Sequence, residues 1–266
     1  MSAVNLASST RFGLTALRNV AEQMEVSQKR LATGKAVNTA LDNVSKFFTA
    51  SKMDGRAASI DTLLDSVNNA QTSLKAASEG IKGIQGIVKQ ARALTGQALA
   101  TSDTATRAAL ATQFTALTDE IAKVVTDSKI NGTNLLNNES ITVTLNEDGT
   151  SKTTIAGVTV GTVAAPVDDW ETEANIKASV DALNTFSTSL ETAATSFGTS
   201  QALISVRKDF NSALSNILKT GASELTAADM DAEAANLMAL QTRQQMASTA
   251  LSIMQSTEST ALRLLR

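Results

Sequence analysis

The sequence predicts a mainly α fold, an elongated coiled-coil-like bundle of long helices drawn from both chain ends, with a small β-hairpin insertion. Three observations carry this. Apolar residues recur at alternating steps of three and four over long runs, the rhythm of helices that pair along a seam. A single Pro among 266 residues leaves those runs free to stay helical. Aromatic residues make up only 3% and Tyr is absent, so the core must be built from Ala, Leu, Val and Ile, which suits thin helical layers.

In chain order, Leu14, Leu17, Ala21, Met24, Gln28 and Leu31 form the first seam. The longest runs through Ile60, Leu63, Val67, Ala70, Leu74, Ala77, Ile81, Ile84, Val88, Ala91, Thr95 and Ala98. Gly80, Gly83, Gly86 and Gly96 interrupt it, each costing about 1 kcal/mol against Ala in an exposed helix, and close approach of a neighbouring helix is the expected compensation. After the capping-type cluster Thr101-Ser102-Asp103, the rhythm resumes at Leu110, Phe114, Leu117, Ile121, Val124 and Ser128, which implies two antiparallel helices.

The character changes at Asn131-Gly132. Residues 141–145 alternate apolar with polar, and Ala156, Val158 and Val160 make a second run of period two, so a hairpin with Asp148-Gly149 at its turn is expected. Beyond Pro166 the helical spacing returns at Ile176, Val180, Leu183, Ser187, Leu190, Ala194 and Phe197. It slips near Gly198, resumes at Leu203, Val206, Phe210, Ala213 and Ile217, and is expected to end at Gly221. The last helix should be capped by Thr226 and Asp229, and its seam is Leu237, Leu240, Ala247, Leu251, Met254, Ala261 and Leu265.

Composition narrows the function. His and Cys are both absent, which removes the commonest general base, the thiolate nucleophile and the usual zinc ligands. Carboxylates at Asp168-Asp169 and Asp229-Asp231 stand alone, with nothing converging on them, so no catalytic residue, metal or cofactor is expected and the chain is read as a structural protein rather than an enzyme. A net charge of −3 without a basic run argues against nucleic acid, and no apolar stretch is long enough to span a membrane. Met1 to Val20 lacks the pattern of a cleavable signal, so the chain is expected to stay in the cytoplasm or to leave by another route.

The ends complement each other. Residues 1–35 hold five basic and two acidic side chains, while residues 224–266 hold three basic and five acidic. Exposed pairs contribute only about 0.2–1 kcal/mol each, so this balance sets register more than strength. Terminal helices that are apolar along their length need partners. Leu14, Leu17, Met24, Leu31, Leu237, Leu240, Leu251, Met254 and Leu265 are the expected polymerisation seam.

Residues 29–42, Lys-Arg-Leu-Ala-Thr-Gly-Lys-Ala-Val-Asn-Thr-Ala-Leu-Asp, followed by Thr49-Ala-Ser-Lys-Met53, resemble the N-terminal signature of bacterial flagellins. Residues 225–230 and 233–245 resemble the other signature, as does the ending from Ala250 to Arg266, and residues 129–136 extend the likeness. The resemblance implies a secreted, extracellular subunit of the flagellar filament. It also implies a homopolymer, an export apparatus and export chaperone, and hook-associated and cap proteins as partners. The implied layout places residues 1–42 and 222–266 in an inner polymerisation layer, residues 43–138 and 172–221 in rod helices, and residues 139–171 in a short variable hairpin. A hook–filament junction protein shares the terminal helices and is the nearest alternative, while a signalling coiled-coil hairpin would lack both end signatures. Two departures stand out. The central insertion is short, and Lys46-Phe47-Phe48 replaces small residues. Residues 88–97 resemble the stretch of stimulatory flagellins that contacts the animal flagellin receptor, with Arg92, Leu94 and Gln97 matching and Gln90 and Ala93 standing where Arg and Glu occur.

Overall fold

A computed structural model describes residues 8–264, so Leu265, and the side chain of Ala261, lie outside the described residues. Five α-helices, one short 3-10 turn at Asp168–Trp170 and a two-stranded antiparallel sheet make up the regular structure of the described residues. The α-helices and strands are α1 (Ser8–Thr33), α2 (Val44–Ala100), α3 (Thr104–Asp127), β1 (Ile141–Thr144), β2 (Lys152–Ile155), α4 (Glu173–Thr226) and α5 (Met230–Leu264). Two compact units divide the chain: Arg56–Asn216 forms one, and the described residues up to Gly55 join those from Ile217 in the other.

Within Arg56–Asn216, every position of the long central seam from Ile60 to Ala98 is buried except Leu63, which is half-buried. Asp103 caps α3, its carboxylate accepting from the Thr106 amide at 2.9 Å. The Thr106 hydrogen bonds, side chain first, hold the Asp103 carboxyl below its ordinary value. The helix then returns against α2 so closely that a Cβ at Gly80 would fall on Ser128 Oγ and lie 3.0 Å from Leu136 Cδ1. That is the close approach the sequence asks for. Gly83 would make only ordinary contact with Val124 at 3.9 Å, and Gly86 and Gly96 face open space, so those last two glycines have no packing role.

The hairpin is real, but its second strand lies earlier than the alternation suggests. Ile141 pairs with Ile155 and Thr144 with Lys152, with Gly149 at φ +68° in the turn. The apolar run 156–160 leaves the hairpin and bonds the preceding loop instead: the Val158 amide donates to the Leu135 carbonyl at 2.7 Å, and Val160 to Leu136 at 3.0 Å. Arg56 Nε meets Glu147 Oε1 at 2.6 Å, and Asn211 Nδ2 donates to the Leu145 carbonyl at 3.2 Å, which ties the turn to α2 and α4. Trp170 is fully buried edge-on against Phe114, ring centres 5.0 Å apart, with its indole N–H donating to Ser179 Oγ at 2.9 Å.

Helix α4 corrects the sequence reading twice. It continues through Gly198 and past Gly221 to Thr226. Gly221 serves packing rather than termination, since a Cβ there would lie 3.4 Å from Met53 Sδ. Because the helix is unbroken, its inward phase is kept, and Ile204, Asn211, Ser215 and Leu218 are buried while Leu203, Val206, Phe210 and Ile217 are exposed. Thr226 likewise ends α4 instead of capping α5. Its hydroxyl donates to the Ala222 carbonyl, and Asp229 alone caps α5, accepting from the Asp231 and Ala232 amides at 3.1 and 3.0 Å.

Candidate polymerisation surfaces

In the unit formed by the two chain ends, α1 and α5 pair lengthwise. Glu233, Leu237, Leu240, Gln244, Ala247, Leu251 and Met254 make the covered face of α5, at steps of four and three. On α1 the covered face is Thr10, Gly13, Leu17, Val20, Met24, Ser27 and Leu31. Leu251 enters the space left by Gly13, its Cδ1 3.2 Å from where a Cβ would stand. Of the nine seam residues read from the sequence, seven therefore sit in one intrachain seam. Leu14 is 39% exposed and turns away, because it lies one residue out of phase with Gly13 and Leu17, and Leu265 is outside the described residues.

A polar contact fixes the register of this seam. Glu233 is only 8% exposed, and its Oε1 accepts from Ser27 Oγ at 2.8 Å with Arg30 Nη1 at 3.7 Å. A buried carboxylate tolerates no slip along the helix, since losing both partners would leave it desolvated and unpaired. The sequence carried a signal for it: Glu233 precedes Leu237 by four residues, in phase with the seam, and Arg30 stands on the basic end. At the mouth of the pair, the loop after α1 clips onto the α4–α5 junction. Gly34 takes φ +68°, the Ala36 and Val37 amides donate to the Thr226 carbonyl at 2.7 and 3.3 Å, and the Ala228 amide donates to the Gly34 carbonyl at 3.0 Å. Backbone amides of Thr39 and Asn38 hold the Asp42 carboxyl below its ordinary value and so order the same loop.

Pairing leaves a second apolar set on the outside. Phe12 is 77% exposed, Met238 63% and Ile253 60%, and Val26 and Met246 are exposed with them. The other unit has its own outward set on α4, formed by Leu203, Val206 and Phe210. Sequence reading found those three positions as part of the resumed helical spacing.

The receptor-like residues do not share one face. Arg92 Nη2 donates to Ser187 Oγ on α4 at 3.0 Å, whereas half-buried Leu94 lines a groove toward α3 with Gln90, Gln113, Ala116 and Leu117, and Gln97 is exposed. Among the described residues no group of His, Cys, Asp or Glu could hold a metal, and no helix is long and apolar enough to cross a membrane. Asp168 and Asp169 lie in a short 3-10 turn at φ 44° and 46°, backbone angles uncommon for residues other than Gly.

The bacterial flagellin N-terminal helical region matches residues 4–140, and the bacterial flagellin C-terminal helical region matches residues 180–265. Flagellin FljK of Caulobacter vibrioides is 30% identical over 278 residues, spanning 100% of this chain and 99% of its own. A flagellin of Brucella melitensis biotype 1 is 27% identical over 274 residues, covering 95% of this chain and 96% of its own. A solved Bacillus cereus flagellin has 16% identity and a TM-score of 0.46, over 54% of this chain and 86% of that one. Matches at both ends and a relative aligned over its whole length establish that this chain belongs to the bacterial flagellin family.

Proposed function

We propose that this chain is a structural subunit of the extracellular flagellar filament, and that it self-assembles through the outward faces of its paired terminal helices. The observation that carries the reading is the two-faced character of those helices. One face of α1 and α5 is spent on their mutual seam, yet Phe12, Met238, Met246 and Ile253 remain exposed on the other. Burying a large apolar side chain contributes about 1.5–3 kcal/mol, so neighbouring copies that cover these residues gain several kcal/mol per contact. The seam residues Leu17, Met24, Leu31, Leu237, Leu240, Leu251 and Met254 then act indirectly, holding the outward set in place, while Leu14 joins the outward set.

Family membership further supports export through the flagellar secretion apparatus with a chaperone, and contact with hook-associated and cap proteins at the filament ends. Inner-layer roles for residues 1–42 and 222–266, and rod roles for residues 43–138 and 172–221, belong to the same proposal. Its test is removal of residues 1–35 or 224–266, followed by sedimentation and electron microscopy under polymerising conditions. Either truncation should leave a helical monomer, and a normal filament from either would refute the proposal.

A further inference from the structure

We infer that Met238 and Met246 on α5 form an oxidation site: peroxide converts both to sulfoxides while the chain is unassembled, and this blocks assembly until the oxygen is removed by reduction. The inference rests on the filament reading and adds a chemical control of the same face. Composition directs the oxidant there. The chain has no Cys, Tyr or His, and its one Trp, Trp170, is fully buried. Thioethers are therefore the oxidisable side chains that a peroxide reaches. Of the seven methionines, Met1 lies outside the described residues, and Met24, Met53 and Met254 are half-buried. Met230, Met238 and Met246 are exposed, at 45%, 63% and 59%.

Position makes two of these three consequential. At about 100° of rotation per residue, Met238 and Met246 stand ~80° apart with Ile253 between them, on the side of α5 turned away from its covered face. Met230, the first residue of α5, falls outside that arc. The chemistry needs only the peroxide. The sulfur lone pair attacks one peroxide oxygen, the O–O bond breaks as the S–O bond forms, and the departing hydroxide takes the remaining proton and leaves as water. Sulfur is oxidised by two electrons and the peroxide is reduced. A flexible apolar side chain thereby becomes polar, with an S=O group that a contact between copies must desolvate. Both oxidised residues are lost from the apolar face that α1 and α5 leave outside their seam.

The test uses the full chain. Monomer is partly oxidised with hydrogen peroxide, freed of the oxidant and polymerised, and pellet and supernatant are compared by peptide mass spectrometry. Sulfoxide should form faster at Met238 and Met246 than at Met24, Met53 and Met254. Chains that carry it at either exposed site should concentrate at least ~tenfold in the supernatant, while sulfoxide at Met230 divides evenly. Trp170 emission should stay unchanged, because the oxygen is added to the surface and not to the fold. Methionine sulfoxide reductases for both epimers should return the excluded chains to the pellet. Even division at Met238 and Met246, equal exclusion at Met230, an altered Trp170 emission, exclusion that reduction does not reverse, or no preference for exposed over half-buried sites overturns the inference and leaves the filament reading standing. Failure of the untreated chain to polymerise overturns both.

Discussion

Replacing Gly80 by Ala should destabilise the protein, against the usual effect of that change within a helix. Propensity alone favours Ala by about 1 kcal/mol. The new Cβ, however, would fall on Ser128 Oγ and stand 3.0 Å from Leu136 Cδ1 and 3.1 Å from Ser128 Cβ. Ser128 cannot simply rotate away, because its hydroxyl donates to the Val124 carbonyl at 2.6 Å, and losing that bond costs about 0.5–1.5 kcal/mol. Leu136 is fully buried, and moving it or the backbone costs a further ~1–3 kcal/mol. The net is a loss of about 1–3 kcal/mol, or a fall in Tm of roughly 4–8 °C at the middle of that range. Thermal unfolding followed by circular dichroism and by the emission of Trp170, the only Trp in the chain, reads it. Gly86→Ala and Gly96→Ala meet open space and should gain up to ~1 kcal/mol. Adding Ser128→Gly to Gly80→Ala should restore part of the loss. A Gly80→Ala protein that melts at or above the parent would refute the claim that α2 and α3 meet at this glycine.

Leu251→Asp puts a carboxylate against Gly13 in the terminal seam, so α1 and α5 should lose their pairing, with polymer yield collapsing and helicity falling by no more than the share of those two helices while Trp170 emission stays near the parent's; an unchanged yield would refute the seam's part in assembly. The Asp103 cap has a lowered carboxyl pKa, so its contribution is complete above the ordinary value of 3.8 and is lost as pH falls through the lowered one. Asp103→Asn should flatten that acid dependence without removing the cap, which unfolding curves between pH 2 and 5 would show. Purified, endotoxin-free protein should activate the animal flagellin receptor only weakly, because Gln90 and Ala93 replace partners worth ~1.5–3 kcal/mol each; strong signalling in a reporter cell line would contradict this.

The long seam from Ile60 to Ala98 was legible because a helix buried along one face repeats its apolar residues whatever covers them. Reading failed after Gly198, where the apolar residues change phase but the helix does not. Asn211 and Ser215 occupy inward positions there because Leu145 and Asp61 supply their partners, 66 and 154 residues away, and periodicity cannot see such pairs. The second strand was misplaced for a related reason. Lys152–Ile155 is mostly polar and pairs through its backbone, while the more apolar 156–160 bonds a loop. In the terminal seam, Leu14 attracted attention as the larger residue, yet Gly13 is what lets Leu251 in.

The contact between Ser27 and Glu233 joins residues 206 positions apart, and this orders events in time. Closing a flexible loop of that length carries an entropic cost of about 5 kcal/mol. Once Asp61 and Ser215 are held together at 2.8 Å, only about fifty residues remain to be closed, and the cost falls by roughly 1 kcal/mol. Closing the middle of the chain therefore lowers the cost of bringing its ends together. An α1 that leaves the site of synthesis before α5 finds no helix to pair with until nearly the whole chain has followed it, and over that interval its apolar face is open to whatever binds it.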